Sequence, residues 1–462
     1  MNLRRMSLRD FAGATRRVVP ALGTILFIGL CLIFLGGCEG YAPYRKEAPE
    51  TKISEKAKTC IECHRTKGVS AIALRDWELS THALNEVGCD QCHLPIVEAT
   101  SASDVLDAKT ACEDKSVRRS VSPKNCEKCH FAQAHQFASG KHAMAWDILK
   151  SLPTAKESAS GGKILIEGEK GCGGCHRIGR DEGKCDSCHT RHRFSAAEAR
   201  RPEACQPCHI GHDHPQWEMY STSKHGSIYA VEGQNWHWNK KIAEWYTMPL
   251  LKSPVIPRAP VCITCHMPDG NHAVKTSWGF WALRLSEKDE EWRGYRNTIF
   301  KGLGFMEEEG NLTERFKVFM PEGKVGLTDE EWQASRDKMI KICAKCHAYS
   351  YSKSTLEAAD DIIKACDKLM AEAIEIVDGL YKDGILPEAE AYPPHTDLLR
   401  YYEVKNPIEL RLYTMFLVHR MRAYQGAFHI NPNYQQWYGW AEMKMDLQEI
   451  KNMAERLRSE KR

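Results

Sequence analysis

Eight Cys-x-x-Cys-His pentapeptides constrain this 462-residue chain more than any other feature. They begin at Cys60, Cys89, Cys126, Cys172, Cys185, Cys205, Cys262 and Cys343, and their second cysteines are Cys63, Cys92, Cys129, Cys175, Cys188, Cys208, Cys265 and Cys346. They end at His64, His93, His130, His176, His189, His209, His266 and His347. In such a motif the two thiols form thioether bonds to the vinyl groups of a haem, and the adjoining imidazole is carried under the porphyrin to bind iron. A lone motif is also compatible with a zinc hairpin. Eight, all ending in histidine, leave that reading no room, so the chain is expected to carry eight covalent c-type haems, numbered below in motif order. Length alone would suggest about three domains, but eight large apolar cofactors inside the fold make that count unreliable.

A low-spin electron-transfer haem needs a second axial ligand. Of the twenty histidines, eight belong to the motifs and twelve remain. A loose repeat selects some of them: Trp77…His82, Phe137…His142 and Tyr220…His225 each place a histidine five residues after an aromatic, with small polar residues between. His82, His142, His192, His225 and His272 are the first candidates for distal iron ligands, with His135 and His429 next. Each alternatively reads as an ordinary surface or core histidine, and pairing them with particular haems is beyond the sequence.

Residues 1–17 are basic and 18–35 apolar, the layout of a secretory signal. Leu35-Gly-Gly-Cys38 resembles the processing box of bacterial lipoproteins, in which the cysteine is lipidated and becomes the new N-terminus, and this is preferred to an uncleaved anchor. The expected division is a signal peptide over 1–37, a polar tether over 38–58, a region with seven motifs over 59–275, and 276–462 with an irregular segment, the eighth motif and a helical bundle. The body is expected to be periplasmic or extracytoplasmic, held to a membrane through lipid on Cys38. Residues 1–37 carry five of the 64 basic residues but one of the 61 acidic ones, so the remainder is near neutral. Haem propionates then make the surface acidic, which argues against a nucleic-acid partner.

Between 59 and 273 no helical or strand period is sustained. Trp278 to Gly326 is expected to be irregular. Thr328-Asp-Glu-Glu331 has the form of a capping box. From Leu356 to Leu380 the apolar residues keep helical spacing over about seven turns, up to Gly384. Asn406-Pro407 reads as another helix start, and Trp437 to Leu457 as a final amphipathic helix. The expected class is an all-α, coil-rich multihaem cytochrome c with long C-terminal helices. Cys366 lies on the apolar face of the long helix, so a disulfide to Cys112 and a buried free thiol are both open.

The eight motifs, the run His212-Asp213-His214-Pro-Gln-Trp-Glu-Met-Tyr220, and the C-terminal Ala423-Tyr-Gln-Gly-Ala-Phe-His-Ile-Asn-Pro432 followed by Trp437-Tyr-Gly-Trp440 together resemble the octahaem hydroxylamine oxidoreductase family. The likeness covers nearly the whole chain beyond the signal. It implies that the fourth haem, on Cys172, Cys175 and His176, lacks a protein distal ligand and is catalytic, with Asp213 and His214 as its distal acid–base pair. It implies conversion of hydroxylamine or a related inorganic nitrogen compound, with seven bis-histidine haems passing electrons to a cytochrome or quinone-linked partner. The same architecture also runs reductively, from nitrite or hydroxylamine toward ammonium. Oxidative members are trimers in which a neighbour's tyrosine is bonded to the catalytic haem, and Tyr413 or Tyr424 are the candidates for that residue. A histidine near its ordinary pKa passes protons close to neutrality. From the residues alone, His214 as one more distal ligand, Asp213 as a turn residue, and a chain that is purely an electron conduit stay open.

Overall fold

The computed structural model describes residues 52–94, 117–118, 121–151, 171–212, 214–245, 257–274, 280–284, 288–319, 328–387, 396–400 and 406–461. Cys38, Cys112, Asp213, His395 and the apolar run 18–35 lie outside them. Among the described residues there is helix, turn and one isolated bridge between Met306 and Leu312, so the fold is all-α. No described helix is long and apolar enough to cross a membrane.

The N-terminal part consists of short pieces. α1 (Glu55–Thr66) carries the first motif and is capped by Ser54, whose side chain accepts from the Ala57 amide. α2 (Ala71–Glu78) follows it, and α3 (Pro123–Ala138) opens with proline in its first turn and carries the third motif. α4 (Gln216–Ser221) and α5 (Lys224–Glu232) are joined by a tight corner. There a Cβ on Gly226 would stand 1.9 Å from the Tyr220 carbonyl oxygen, which is why the residue after His225 has no side chain. Short helices suit this region because a helix of a few turns is not stable alone. Haems are expected to supply the apolar surface that the sequence pattern lacks.

The C-terminal part forms the protein core. α6 (Glu290–Gly302) lies inside the stretch expected to be irregular. Trp292, Arg296, Ile299 and Phe300 bury one face of it at helical spacing, and Asp289 caps it by accepting from the Trp292 amide at 3.1 Å. The flanking charges mask that period in the sequence. α7 (Asp329–Cys343) starts at the expected capping box: Thr328 Oγ1 accepts from the Glu331 amide at 3.3 Å, and Glu331 Oε2 from the Thr328 amide at 3.0 Å.

α8 (Tyr349–Lys382) runs for 34 residues and ends before Gly384, whose φ of +60° lets the chain turn away. It packs on α6 and on the last helix, α11 (Glu442–Lys461). Between them stand α9 (Pro407–Thr414), a π-helical turn over Met415–Arg420, α10 (Met421–Phe428) and a second π-helical turn over Gln436–Ala441. Ile299, Leu303, Met370, Ile374, Val377, Leu412, Phe416 and Ile450 form the centre of this core. Cys366 is part of it as a buried free thiol.

Candidate haem sites and the distal face of haem 4

Each motif folds as a single helical turn, so that both thiols and the imidazole project to one side. The amides of His176, His189, His209 and His347 each donate to the carbonyl of the first cysteine of their motif at 3.0 Å. All sixteen motif cysteines are free thiols available for thioether bonds. Among the described residues no cluster of three or more histidine, cysteine or acidic side chains is built to hold a bare metal ion. What the structure builds instead is two-histidine sites, which leave four equatorial positions for a porphyrin.

Seven motif histidines face a second histidine. The ring centroids are 6.0 Å apart for His93 and His192, 6.1 Å for His130 and His82, and 6.1 Å for His209 and His142. They are 6.2 Å apart for His347 and His225, and 6.3 Å for His189 and His272, His266 and His429, and His176 and His214. An imidazole binds a metal at about 2 Å, so this narrow range has room for one iron between facing nitrogens. The tautomers agree. Nδ1 donates to the Arg118 carbonyl from His93 (2.7 Å), to Ala145 from His176 (3.0 Å), to Gly270 from His272 (2.9 Å) and to Gln425 from His429 (2.7 Å), leaving Nε2 for iron. Burial pushes the pKa of His189 and His209 down to about 4, which keeps both rings in the neutral form a metal requires.

Six of the seven expected distal candidates therefore stand opposite a motif histidine: His82, His142, His192, His225, His272 and His429. His135 does not. It shares α3 with His130, its Nε2 lies 2.8 Å from Glu127, and its ring lies 3.9 Å from that of Phe131. At the fourth site His214, the expected distal residue, faces His176 at a distance at the upper end of the range of the other pairs. The segment folds back to make this contact: the Trp217 amide donates to the His209 carbonyl at 2.8 Å and the Gln216 amide to His214 at 2.9 Å. Replacing His225 by alanine is expected to leave the haem count unchanged and to convert one low-spin haem to high spin. Electron paramagnetic resonance of the ferric protein reads this, and an unchanged spectrum would show that His225 is no ligand.

Contacts between thiols of different motifs place the haems in sequence. Cys89 neighbours Cys60, Cys92 neighbours Cys129, and Cys126 meets Cys185. Cys188 neighbours Cys205, Cys205 meets Cys262, and Cys265 neighbours Cys343. Haems bound to these motifs would follow the order 1, 2, 3, 5, 6, 7 and 8, and the Cys175–Cys208 contact would join haem 4 to haem 6 as a side branch.

The His214 side of that branch collects groups that no sequence pattern marks. Arg422 on α10 donates from Nη2 to the His212 carbonyl at 3.2 Å, and Glu218 on α4 accepts from the Gly211 amide at 2.9 Å. Glu218 Oε2, Arg422 Nε and Gln425 Oε1 are buried with no hydrogen-bond partner among the described residues. Unsatisfied buried groups of this kind are costly unless a bound group meets them. Tyr413 is buried, and Tyr424 packs edge-on to Phe428 beside the core, so both belong to this chain's own interior. Tyr434 lies near Glu218 and Arg422, and Tyr438 is exposed.

Known proteins give the same picture. The chain is 27% identical to a probable nitrite reductase-hydroxylamine oxidoreductase fusion protein of Kuenenia stuttgartiensis across 90% of its length, and spans only 54% of that relative. Its fold is similar to that of a reducing HAO-like protein complex of Kuenenia stuttgartiensis, with a TM-score of 0.63, 24% identity, and 88% and 86% of the two chains covered. It is also similar to a hypothetical multiheme protein, with a TM-score of 0.66, 18% identity, and 89% and 98% covered. Residues 56–302 and 308–394 match the family described as "seven times multi-haem cytochrome CxxCH", a span that takes in every motif, and the chain belongs to that family of multihaem cytochromes.

Proposed function

We propose that the chain is an oxidoreductase of small inorganic nitrogen compounds, with haem 4 as the reacting centre and reduction of nitrite or hydroxylamine to ammonium as its direction. The observation that carries this reading is that His214 faces His176 while Arg422 and Glu218 hold the neighbouring His212 and Gly211. The names of the relatives support it, one naming nitrite reductase and hydroxylamine oxidoreductase, the other a reducing complex. Hydroxylamine oxidation through a tyrosine cross-link would need a tyrosine offered to a neighbouring subunit; Tyr413 and Tyr424 are packed within their own chain, and Tyr438 is the exposed one of this region.

Haem 4, when bound, supplies an iron coordination position and a route for electrons. The protein's share is charge and protons. Arg422 places a fixed positive charge beside the His212–His214 run, which favours an anion such as nitrite. His214, carried on a loop after Gly211 (φ +99°) and facing His176, would hold and deliver protons from its ring to a substrate bound at haem 4. Glu218, on α4 just after that loop, returns protons to it from the surface. Nitrite to ammonium takes six electrons and eight protons and releases two waters, so both a line of haems and a renewable acid are needed. We infer further that lipid on Cys38 holds the protein outside the cytoplasm, that a cytochrome or quinone-linked carrier supplies electrons, and that the chain works as a homotrimer.

The test is an anaerobic assay of the holoprotein with reduced viologen, following ammonium. Ammonium from nitrite and from hydroxylamine is expected. Hydroxylamine oxidised with no ammonium from either compound would reverse the direction, and inertness to both would leave an electron conduit.

A further inference from the structure

Between Lys338 and Lys353 the chain carries four lysines, Lys338, Lys341, Lys345 and Lys353, and no aspartate or glutamate. Lys338 and Lys341 share one face of α7 through their three-residue spacing, and Lys345 follows in the turn that prolongs the helix, between the two cysteines of the eighth motif. All four are exposed. Among the eight motifs this is the one with a basic residue and no acidic one between its cysteines. Compensation of the helix dipole explains Lys341 alone, because that effect fades within the last turn. The carboxylates that flank the run in sequence are Asp337, which accepts from Gln333 Nε2 at 2.9 Å, and Glu357, 3.7 Å from Lys353, so the α7 face keeps its positive charge. Tyr349 and Tyr351, 57% and 53% exposed, open α8 just after His347, and the Tyr351 ring lies 5.3 Å from that of His347. At the first motif, by contrast, both signs interleave, with Lys58 on Glu55 and Arg65 on Glu78.

We propose that this lysine face is where an acidic electron carrier docks, a small redox protein with carboxylates around its cofactor edge, and that electrons pass from it to haem 8. The seventh motif packs on α7 with Cys265 beside Cys343, so haem 8 ends the line that leads through haems 7 and 6 to haem 4. The inference rests on the reading that an outside carrier supplies electrons, and is indifferent to the nitrogen compound converted at haem 4. Each encounter oxidises the carrier by one electron and takes one ferric haem to ferrous. Redox encounters bury little surface, so charge does the selecting: a positive face draws in an acidic protein and repels a basic one. The two tyrosines fit the centre of such a contact and the lysines its polar rim.

The experiment uses the holoprotein with a plant-type two-iron ferredoxin as the acidic probe. Calorimetry gives the Kd of the oxidised ferredoxin, and stopped-flow absorbance gives the rate at which the reduced form reduces the haems. Wild type is compared with Lys338→Glu/Lys341→Glu and, at the first motif, with Lys58→Glu/Lys67→Glu. In the first variant Kd is expected to weaken and the rate to fall, each by about 10-fold or more, with little change in the second. Added salt is expected to slow the wild-type reaction, and a rate indifferent to salt would overturn the proposal. Reduction by the viologen cation radical, which needs no docking, is expected to be unchanged or faster in both variants. If it slows together with the ferredoxin reaction, the lysines serve haem 8 itself and the proposal fails. It fails too if both variants lose affinity alike, or if neither does. Should Lys338→Glu/Lys341→Glu lose haem, Lys338→Gln/Lys341→Gln carries the same comparison. Ammonium formed with viologen while the ferredoxin does not bind removes the docking face and leaves the reaction at haem 4. Lysine-dependent reduction by ferredoxin without ammonium upholds the docking face and removes that reaction.

Discussion

Replacing His214 by alanine is expected to lower nitrite turnover by about 10²–10⁴-fold, the usual contribution of a positioned general acid or base, with the haem content unchanged. His214 is outside every attachment motif, so no thioether bond depends on it. Its ring stands 6.3 Å from that of His176, within reach of anything bound between them. Removing it opens the iron but takes away the proton donor, and these two effects pull turnover in opposite directions. The proton term wins, because ammonium formation needs protons at every stage whereas the iron must be opened once per turnover. The check is a rate measurement paired with a haem count by alkaline pyridine spectrum. Turnover that is unchanged or raised, together with a new high-spin signal, would mean that His214 serves only as a sixth ligand. Asp213→Asn is expected to act in the same direction with a smaller fall.

Asp367→Ala is expected to cost about 3–5 kcal/mol of stability, the range seen when one partner of a buried ion pair is removed. Asp367 on α8 is fully buried. It accepts from Arg420 Nε at 2.8 Å and from Trp292 Nε1 at 2.7 Å, and Arg296 Nε lies 3.7 Å away. Arg420 and Arg296 are themselves 0% and 1% exposed, so the alanine variant leaves two guanidinium groups in the core without their carboxylate. Arg420 Nη1 also donates to the Trp281 carbonyl at 2.7 Å, and Arg296 lies 4.1 Å from the Trp292 ring, so neither side chain swings out to water without dismantling the packing of α6 on α8. The thermal midpoint of the holoprotein reads the effect. A midpoint within error of wild type would show that this cluster does not hold the C-terminal helices together.

The helices of the C-terminal half were legible where apolar spacing was regular and a cap was present. The run from Leu356 to Leu380 became α8, and Thr328 and Asn406 became capping boxes. α6 was missed because its buried face is built from Trp292, Arg296, Ile299 and Phe300, and an arginine on the core side does not read as apolar. The histidines placed five residues after an aromatic, His82, His142 and His225, each came to face a motif histidine. His135 lacks that spacing and faces none. Arg422 on α10 carried no signal, and only folding brings it to the run that already contains Glu218.

Covalent chemistry is local, so the cysteines and the adjoining histidine point to covalent c-type haem within five residues, and helix caps and apolar periods are local in the same sense. A second axial ligand is a long-range contact: His130 takes His82 from 48 positions earlier, and His266 takes His429 from 163 positions later. No spacing rule connects such positions, because the loops between them set no register. Which of the remaining imidazoles faces which motif histidine was therefore decided by packing alone.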